Sequence, residues 1–327
     1  MLFYLYYFAR NKISEVIWVV KIILFLLIIV GGSYAQILEL NRPLFTDEPF
    51  FNAKFISKNK VKSITGSRSS KKVKDIIRTK GLDFYYEFNK EGLLTKQIAT
   101  FLIAENKKDT NIITYHYGAS NRLDYIRKSD NYGYFSYHYK YDEINNLVNQ
   151  TYCRDENMCD YKGDFYIRNQ YVINTDSFSY ERLSNTQLKK LYYNSYNKVY
   201  KEEFFYYNEL GNLIEEYSKY IIGNKKSKIT YEYDEKGRIS NVVSVQNLNL
   251  NEKIKEVYIY DDLDNILEIK VYLNDKYKTS KQYLYDKKTM LLTAQLIQEV
   301  ETEFVQIIQY KYTFYNGETT SLTLENN

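Results

Sequence analysis

Aromatic and polar positions alternate along this chain in short bursts, and each burst runs into a turn. The clearest one, Tyr231 to Ile239, reads YEYDEKGRI. Side chains on a strand alternate between faces with period two, so the two tyrosines share one face and Glu232 takes the other. The same nine-residue pattern begins at Tyr86, Tyr115, Tyr139, Phe205, Tyr231, Tyr258 and Tyr283. The first and third positions are aromatic in all seven copies and the ninth is Leu or Ile. Aromatics are only 17% of the chain, so composition does not produce this register.

Each position has a mechanical reading. The fourth is Asp or Asn in every copy except Gly118, and such a side chain accepts a backbone hydrogen bond two residues on and opens a turn. The seventh is Gly92, Asn121, Asn145, Gly211, Gly237 or Asp264, the residue types that best tolerate a left-handed backbone. Thr289 departs from this rule, which predicts an altered turn there. The ninth residue starts the return strand, so every copy reads as a β-hairpin. Copies recur at spacings of 29, 24, 66, 26, 27 and 25 residues. The long gap has room for a degenerate unit at Phe178 to Glu181 plus an insert, and a worn copy lies near Tyr310 to Gly317. A lone hairpin is marginal in water, so the units must cover one another's rings. The expected fold is all-β: repeated hairpins in one long, twisted antiparallel sheet, open or curled.

The repeat resembles the YD repeat of Rhs and teneurin-type proteins over roughly Leu82 to Tyr315. That resemblance implies a coiled β-sheet shell and an association with carbohydrate or cell-surface binding. It supplies no catalytic residue, and no toxin-delivery role is expected from it, because the proline-rich core-domain motif of the large toxin carriers is not read in these residues.

The first 35 residues read as a signal peptide. Arg10, Lys12 and Lys21 precede an apolar run from Ile22 to Val30, and Ser33 and Ala35 place cleavage between Ala35 and Gln36. The alternative is a retained anchor starting near Ile13. Residues 36–81 form an entry segment and a basic unit. Lys54 to Lys80 carries ten basic residues and one acid, and AKFISKNKVKSI alternates as a solvated strand would. A contact for an anionic surface is the second reading of that stretch. Residues 82–315 hold the repeats, with an insert at about 150–175, and 316–327 are a tail. The formal net charge of +4 gives no reason to expect nucleic acid, and membrane contact is expected only through the export signal.

Chemistry is sparse. In an oxidising compartment Cys153 and Cys159 read as a disulfide stapling the insert. His116 and His138, both in YHY contexts, read as structural rather than catalytic. Asp261, Asp262 and Asp264 resemble half a calcium loop but occupy the ordinary repeat turn. No catalytic, cofactor or metal residues are assigned. The residue between the paired aromatics runs Glu87, His116, Lys140, Tyr206, Glu232, Ile259, Leu284. Its late apolar members, Ile259 and Leu284, suggest a covered face or a docking surface. The functional expectation is an exported, non-catalytic binding or scaffolding module, periplasmic, cell-surface or secreted, whose partner is a glycan or a protein. A carbohydrate-active enzyme with sheet-borne carboxylates is the alternative.

Overall fold

The structure, a computed structural model, describes residues 37–38, 51–104, 107–118, 120–250, 252–317 and 319–320. The proposed cleavage site at Ala35 and Gln36 lies outside them. Among the described residues, one short helix, α1 (Ala53–Lys58), precedes the strands. These are β1 (Val61–Lys72), β2 (Arg78–Phe88), β3 (Leu94–Ala104), β4 (Lys107–Tyr117), β5 (Leu123–Asp130), β6 (Gly133–Tyr141), β7 (Leu147–Asn157), β8 (Ile167–Ser184) and β9 (Gln187–Tyr193). The second half holds β10 (Val199–Tyr207), β11 (Leu213–Tyr220), β12 (Lys226–Tyr233), β13 (Ile239–Val245), β14 (Ile254–Tyr260), β15 (Ile266–Leu273), β16 (Lys276–Tyr285), β17 (Leu292–Glu299), β18 (Phe304–Phe314) and the two-residue β19 (Thr319–Thr320).

Each strand pairs antiparallel with its neighbour in sequence, and β1 pairs on its other side with β18, from Val61 opposite Phe314 to Lys72 opposite Phe304. The wall is therefore a closed barrel of 18 strands. This corrects the single open or curled sheet expected from the repeats. Closure gives every wall strand a partner on both sides, which a repeat array ending in free strands would lack, although residues 167–176 of β8 pair only with β7. The basic stretch supplies the closing strand β1. Its first part is helix and not strand, because Asn52 Oδ1 caps the Phe55 N–H at 3.1 Å and the turn that follows buries Phe55 and Ile56.

The repeat turns follow the sequence reading. Gly92, Asn121, Asn145, Gly211, Gly237 and Asp264 all have positive φ. Asp234 Oδ1 accepts from the N–H of Lys236 and also from that of Arg238, and Asp142, Asn208 and Asp261 repeat both bonds. In the last copy the turn is one residue longer. Met290 takes the left-handed position, Asp286 N–H reaches Leu291 O, and Leu292 becomes the first residue of the return strand.

A recurring bond ties most copies to the one before. The third-position tyrosine donates its hydroxyl to the carbonyl of the preceding copy's ninth residue. It runs from Tyr117 to Leu94 (2.8 Å), Tyr141 to Leu123 (2.9 Å), Tyr233 to Leu213 (2.6 Å), Tyr260 to Ile239 (2.6 Å) and Tyr285 to Ile266 (3.0 Å). The degenerate unit joins the series, Tyr180 reaching Leu147 O at 2.8 Å, and so does Tyr312, reaching Leu292 O at 2.7 Å. A turn with the repeat's hydrogen bonds also spans Asn194 to Lys198, at the opposite end of the wall, with Leu191 standing where the first aromatic would be.

The insert is not a separate element. Its residues extend β7 and β8, which remain paired from Asn149–Ser177 to Asn157–Ile167. Cys153 is buried within β7 and Cys159 lies beyond the end of that strand, and both are free thiols. This corrects the expected disulfide. An extended strand advances about 3.3 Å per residue, so four residues of β7 already separate the two by more than the roughly 7 Å between Cα atoms that a disulfide spans.

Candidate ligand site in the barrel lumen

The motif aromatics face the lumen. Tyr86 on β2 and Tyr258 on β14 line one cavity although five strands stand between them. At about 4.8 Å per strand they are roughly 29 Å apart along the wall. Only a wall curving toward them brings both to one space. Burial agrees: Phe88, Phe205 and Tyr312 are each 1% exposed. The opposite face carries charge, with Lys140, Glu232 and Lys311 exposed and the ion pairs Lys189–Glu202 and Lys228–Glu215 lying across its strands.

The cavity measures about 450 Å³, within the range of roughly 300–1,000 Å³ usual for small-molecule sites. Residues before β1 form part of its boundary: Leu38 bridges to Phe51, and Phe51 packs edge-on against Tyr86 (4.9 Å) and Phe88 (5.1 Å). Aliphatic side chains of Ile64, Ile266, Ile269, Leu292 and Ile308 cover much of the remainder. Against them stands one polar cluster. Glu256 accepts from the Tyr258 hydroxyl at 3.0 Å and from Lys281 Nζ at 3.4 Å, and Gln295 accepts from the Tyr310 hydroxyl at 3.3 Å. Burial pushes the Tyr258 phenol well above its ordinary pKa, and the Glu256 charge and hydrogen bond add to this. Sequence reading missed Glu256 and Lys281. Each stands two residues before a motif aromatic, so strand parity alone would have placed them on the ring-bearing face.

Farther along the same face, Lys190 is 2% exposed and sits over the rings of Phe178 (4.2 Å) and Tyr192 (4.5 Å). Burial lowers its pKa to about 8, with Glu203 opposing and Lys201 reinforcing the shift. Glu203 binds both Lys201 and the Tyr192 hydroxyl. Burial raises the Glu216 carboxyl, which accepts from Tyr231 at 2.6 Å. The lumenal acids are thus held by cations and phenols.

His116 and His138 lie on the outward face, stacked on either side of Tyr125 at 4.1 and 5.3 Å. Burial holds both imidazoles below their ordinary pKa, and the charge of Arg127 adds to it; Asp155 opposes the shift at His138. Beside them Asp155 is 4% exposed and binds Arg127 (3.1 Å), Ser136 (2.8 Å) and Gln170 (2.9 Å). Ile259 is half-buried and Leu284 is 42% exposed on this outer face, so neither is part of the lumenal core. Asp261 and Asp264 are engaged in turn and ion-pair bonds, and no metal-ligand cluster occurs among the described residues.

No family model matches this chain, and no curated protein does. Among solved structures it is similar to a porin-like protein from Bacteroides uniformis, with 12% identity, TM-score 0.38, and coverage of 77% of this chain and 98% of that one. A porin-like protein from Bacteroides vulgatus matches at 9% identity and TM-score 0.29, over 67% and 98% of the two chains. A chain of the Tc holotoxin pore of Photorhabdus luminescens matches at 10% identity and TM-score 0.23, over 71% of this chain and 19% of that one. At such identities and scores these likenesses carry no functional argument.

Proposed function

We propose that this protein is an exported, non-catalytic β-barrel that holds a small ligand inside its lumen. One observation carries the reading: the usual polarity of a membrane barrel is reversed. A bilayer-spanning barrel turns a continuous apolar band outward. Here the outward positions carry Glu87, Lys140, Glu232 and Lys311 interspersed with apolar residues such as Ile259 and Leu284, so the outer face has no continuous apolar band, and the motif aromatics point in. The wall is suited to water on its outside, and its lumen contains a space of ligand size lined by aliphatic, aromatic and charged side chains. Export rests on the N-terminal leader and places the protein in the periplasm, at the cell surface or outside the cell.

Most third-position hydroxyls are committed to neighbouring carbonyls, so the ring ladder itself is not the ligand face. The non-catalytic reading is supported by the partners of Glu203, Glu216 and Glu256, each of which is bonded to a phenol. The test is a small-molecule library screened by thermal shift against the purified protein and its Ile308→Trp variant, which fills the cavity. Compounds should stabilise the parent and leave the variant unmoved. No stabilising compound, equal shifts in both proteins, or turnover of a bound compound would each refute the proposal.

A further inference from the structure

Resting on the lumenal reading, we infer that the ligand is a zwitterion with a large apolar group, such as a free hydrophobic or aromatic α-amino acid. Glu256 and Lys281 face each other at 3.4 Å, the long end of a hydrogen bond, and their side chains retain 29% and 33% exposure. Both charges are therefore reachable from the cavity and neither has exhausted its hydrogen-bonding capacity. A ligand bearing only a carboxylate could pair with Lys281 but would face Glu256. A ligand bearing only an ammonium would meet the reverse problem. A molecule carrying both charges at one end satisfies both residues, its ammonium on Glu256 and its carboxylate on Lys281, with Gln295 beside them.

The rest of the cavity specifies the other end. Ile64, Ile308, Phe51 and Phe84 offer no polar side-chain atom to a ligand, and among the phenols of the lining those of Tyr258, Tyr310 and Tyr312 are already donated to Glu256, Gln295 and the Leu292 carbonyl. A saccharide would press hydroxyls against this wall, and each buried without a partner costs about 1–3 kcal/mol. An apolar side chain of one ring or one branched chain loses nothing there and gains by burial. The pairing of an aliphatic and aromatic wall with one compensated charge pair thus selects against polyols as well as against simple acids and amines.

Isothermal titration of the purified protein with L-phenylalanine, phenylacetate, phenethylamine and maltose tests this. L-phenylalanine should bind, and phenylacetate and phenethylamine, which each lack one charge, should bind at least about tenfold more weakly. Lys281→Met and Glu256→Gln should each weaken L-phenylalanine binding by about tenfold, and Ile308→Trp should abolish it. Equal binding of either single-charge analogue, or binding of maltose in place of the amino acid, overturns the ligand class, while sensitivity to Ile308→Trp would leave the lumenal site standing. Absence of L-phenylalanine binding while another library compound still depends on Ile308 likewise rejects only the class. Binding that survives Ile308→Trp rejects the site itself. The analogue series uses the unmodified protein, so it decides the matter even if a variant fails to fold.

Discussion

A Cβ added at Gly92 would lie 2.0 Å from the carbonyl oxygen of Ala53. The first repeat turn is thus pressed against helix α1, with Ser57 Oγ donating to Lys90 O at 2.7 Å alongside. Gly237 occupies the same repeat position with φ of 77° and nothing within 4 Å of its absent Cβ. One position of the repeat therefore has two different constraints. Gly237→Asn should cost only a few tenths of a kcal/mol, and Gly237→Val about 1–2 kcal/mol from backbone strain. Gly92→Asn should cost more than either, because backbone has to move. Urea denaturation of the three variants checks the order, and equal midpoints for Gly92→Asn and Gly237→Asn would refute the contact.

The Tyr233 hydroxyl bond to Leu213 should be worth about 0.5–1.5 kcal/mol, and Tyr233→Phe should lose it. Tyr217→Phe, on the outer face, serves as the comparison and should change stability less. If the two variants melt together, the hydroxyl series does not stabilise the wall.

The Lys190 amine is held at about 8 in the fold, below the ordinary lysine value of 10.5. Between those values the unfolded chain binds more protons, so this residue makes stability rise with pH across that window. Lys190→Met should flatten the rise between pH 8 and 9.5 and leave the protein no less stable at pH 7. Chemical denaturation at four pH values would show it, and an unchanged slope would count against the buried amine.

Phenols act with the opposite sign. Burial raises Tyr260 and Tyr283 to about 12, so their contribution is complete below the unfolded value of 10 and is lost as pH climbs through 12. Ultraviolet titration should show these tyrosines ionising together with unfolding. A smooth ionisation near pH 10 with the fold intact would contradict their burial.

Intact mass should be the same before and after reduction, since both thiols are free. Cys159 should react with iodoacetamide in the native protein, and Cys153, buried and with its thiol raised by burial and by Asp155, only after denaturation. Native protection of both would point to a linkage after all.

The local grammar of the fold was legible because each hairpin is specified by residues within nine positions of one another. Asp234 and Gly237 dictate their turn wherever it sits in the molecule. Closure was not legible, since β1 has no repeat motif and its partner β18 carries only the worn copy around Tyr310 and Tyr312. The turn at Asn194 was hidden by Leu191, although Asn194, Asn197 and Val199 hold the register. Cys153 and Cys159 misled through proximity in sequence, which an extended strand converts into distance. The lumenal pair was within reach: Glu256 and Lys281 share a face with Tyr258 and Tyr283, but parity does not tell which face curves inward.

The seam between β1 and β18 joins Val61 to Phe314. For a chain emerging amino terminus first, the staves must wait for the last hoop. Every intermediate before synthesis of β18 has two raw edges, and β1 is displayed throughout as a template for any strand that arrives early. The interval of vulnerability is then set by the time needed to deliver the whole chain, and a factor that shields β1 during synthesis would matter more than one that acts on the finished barrel.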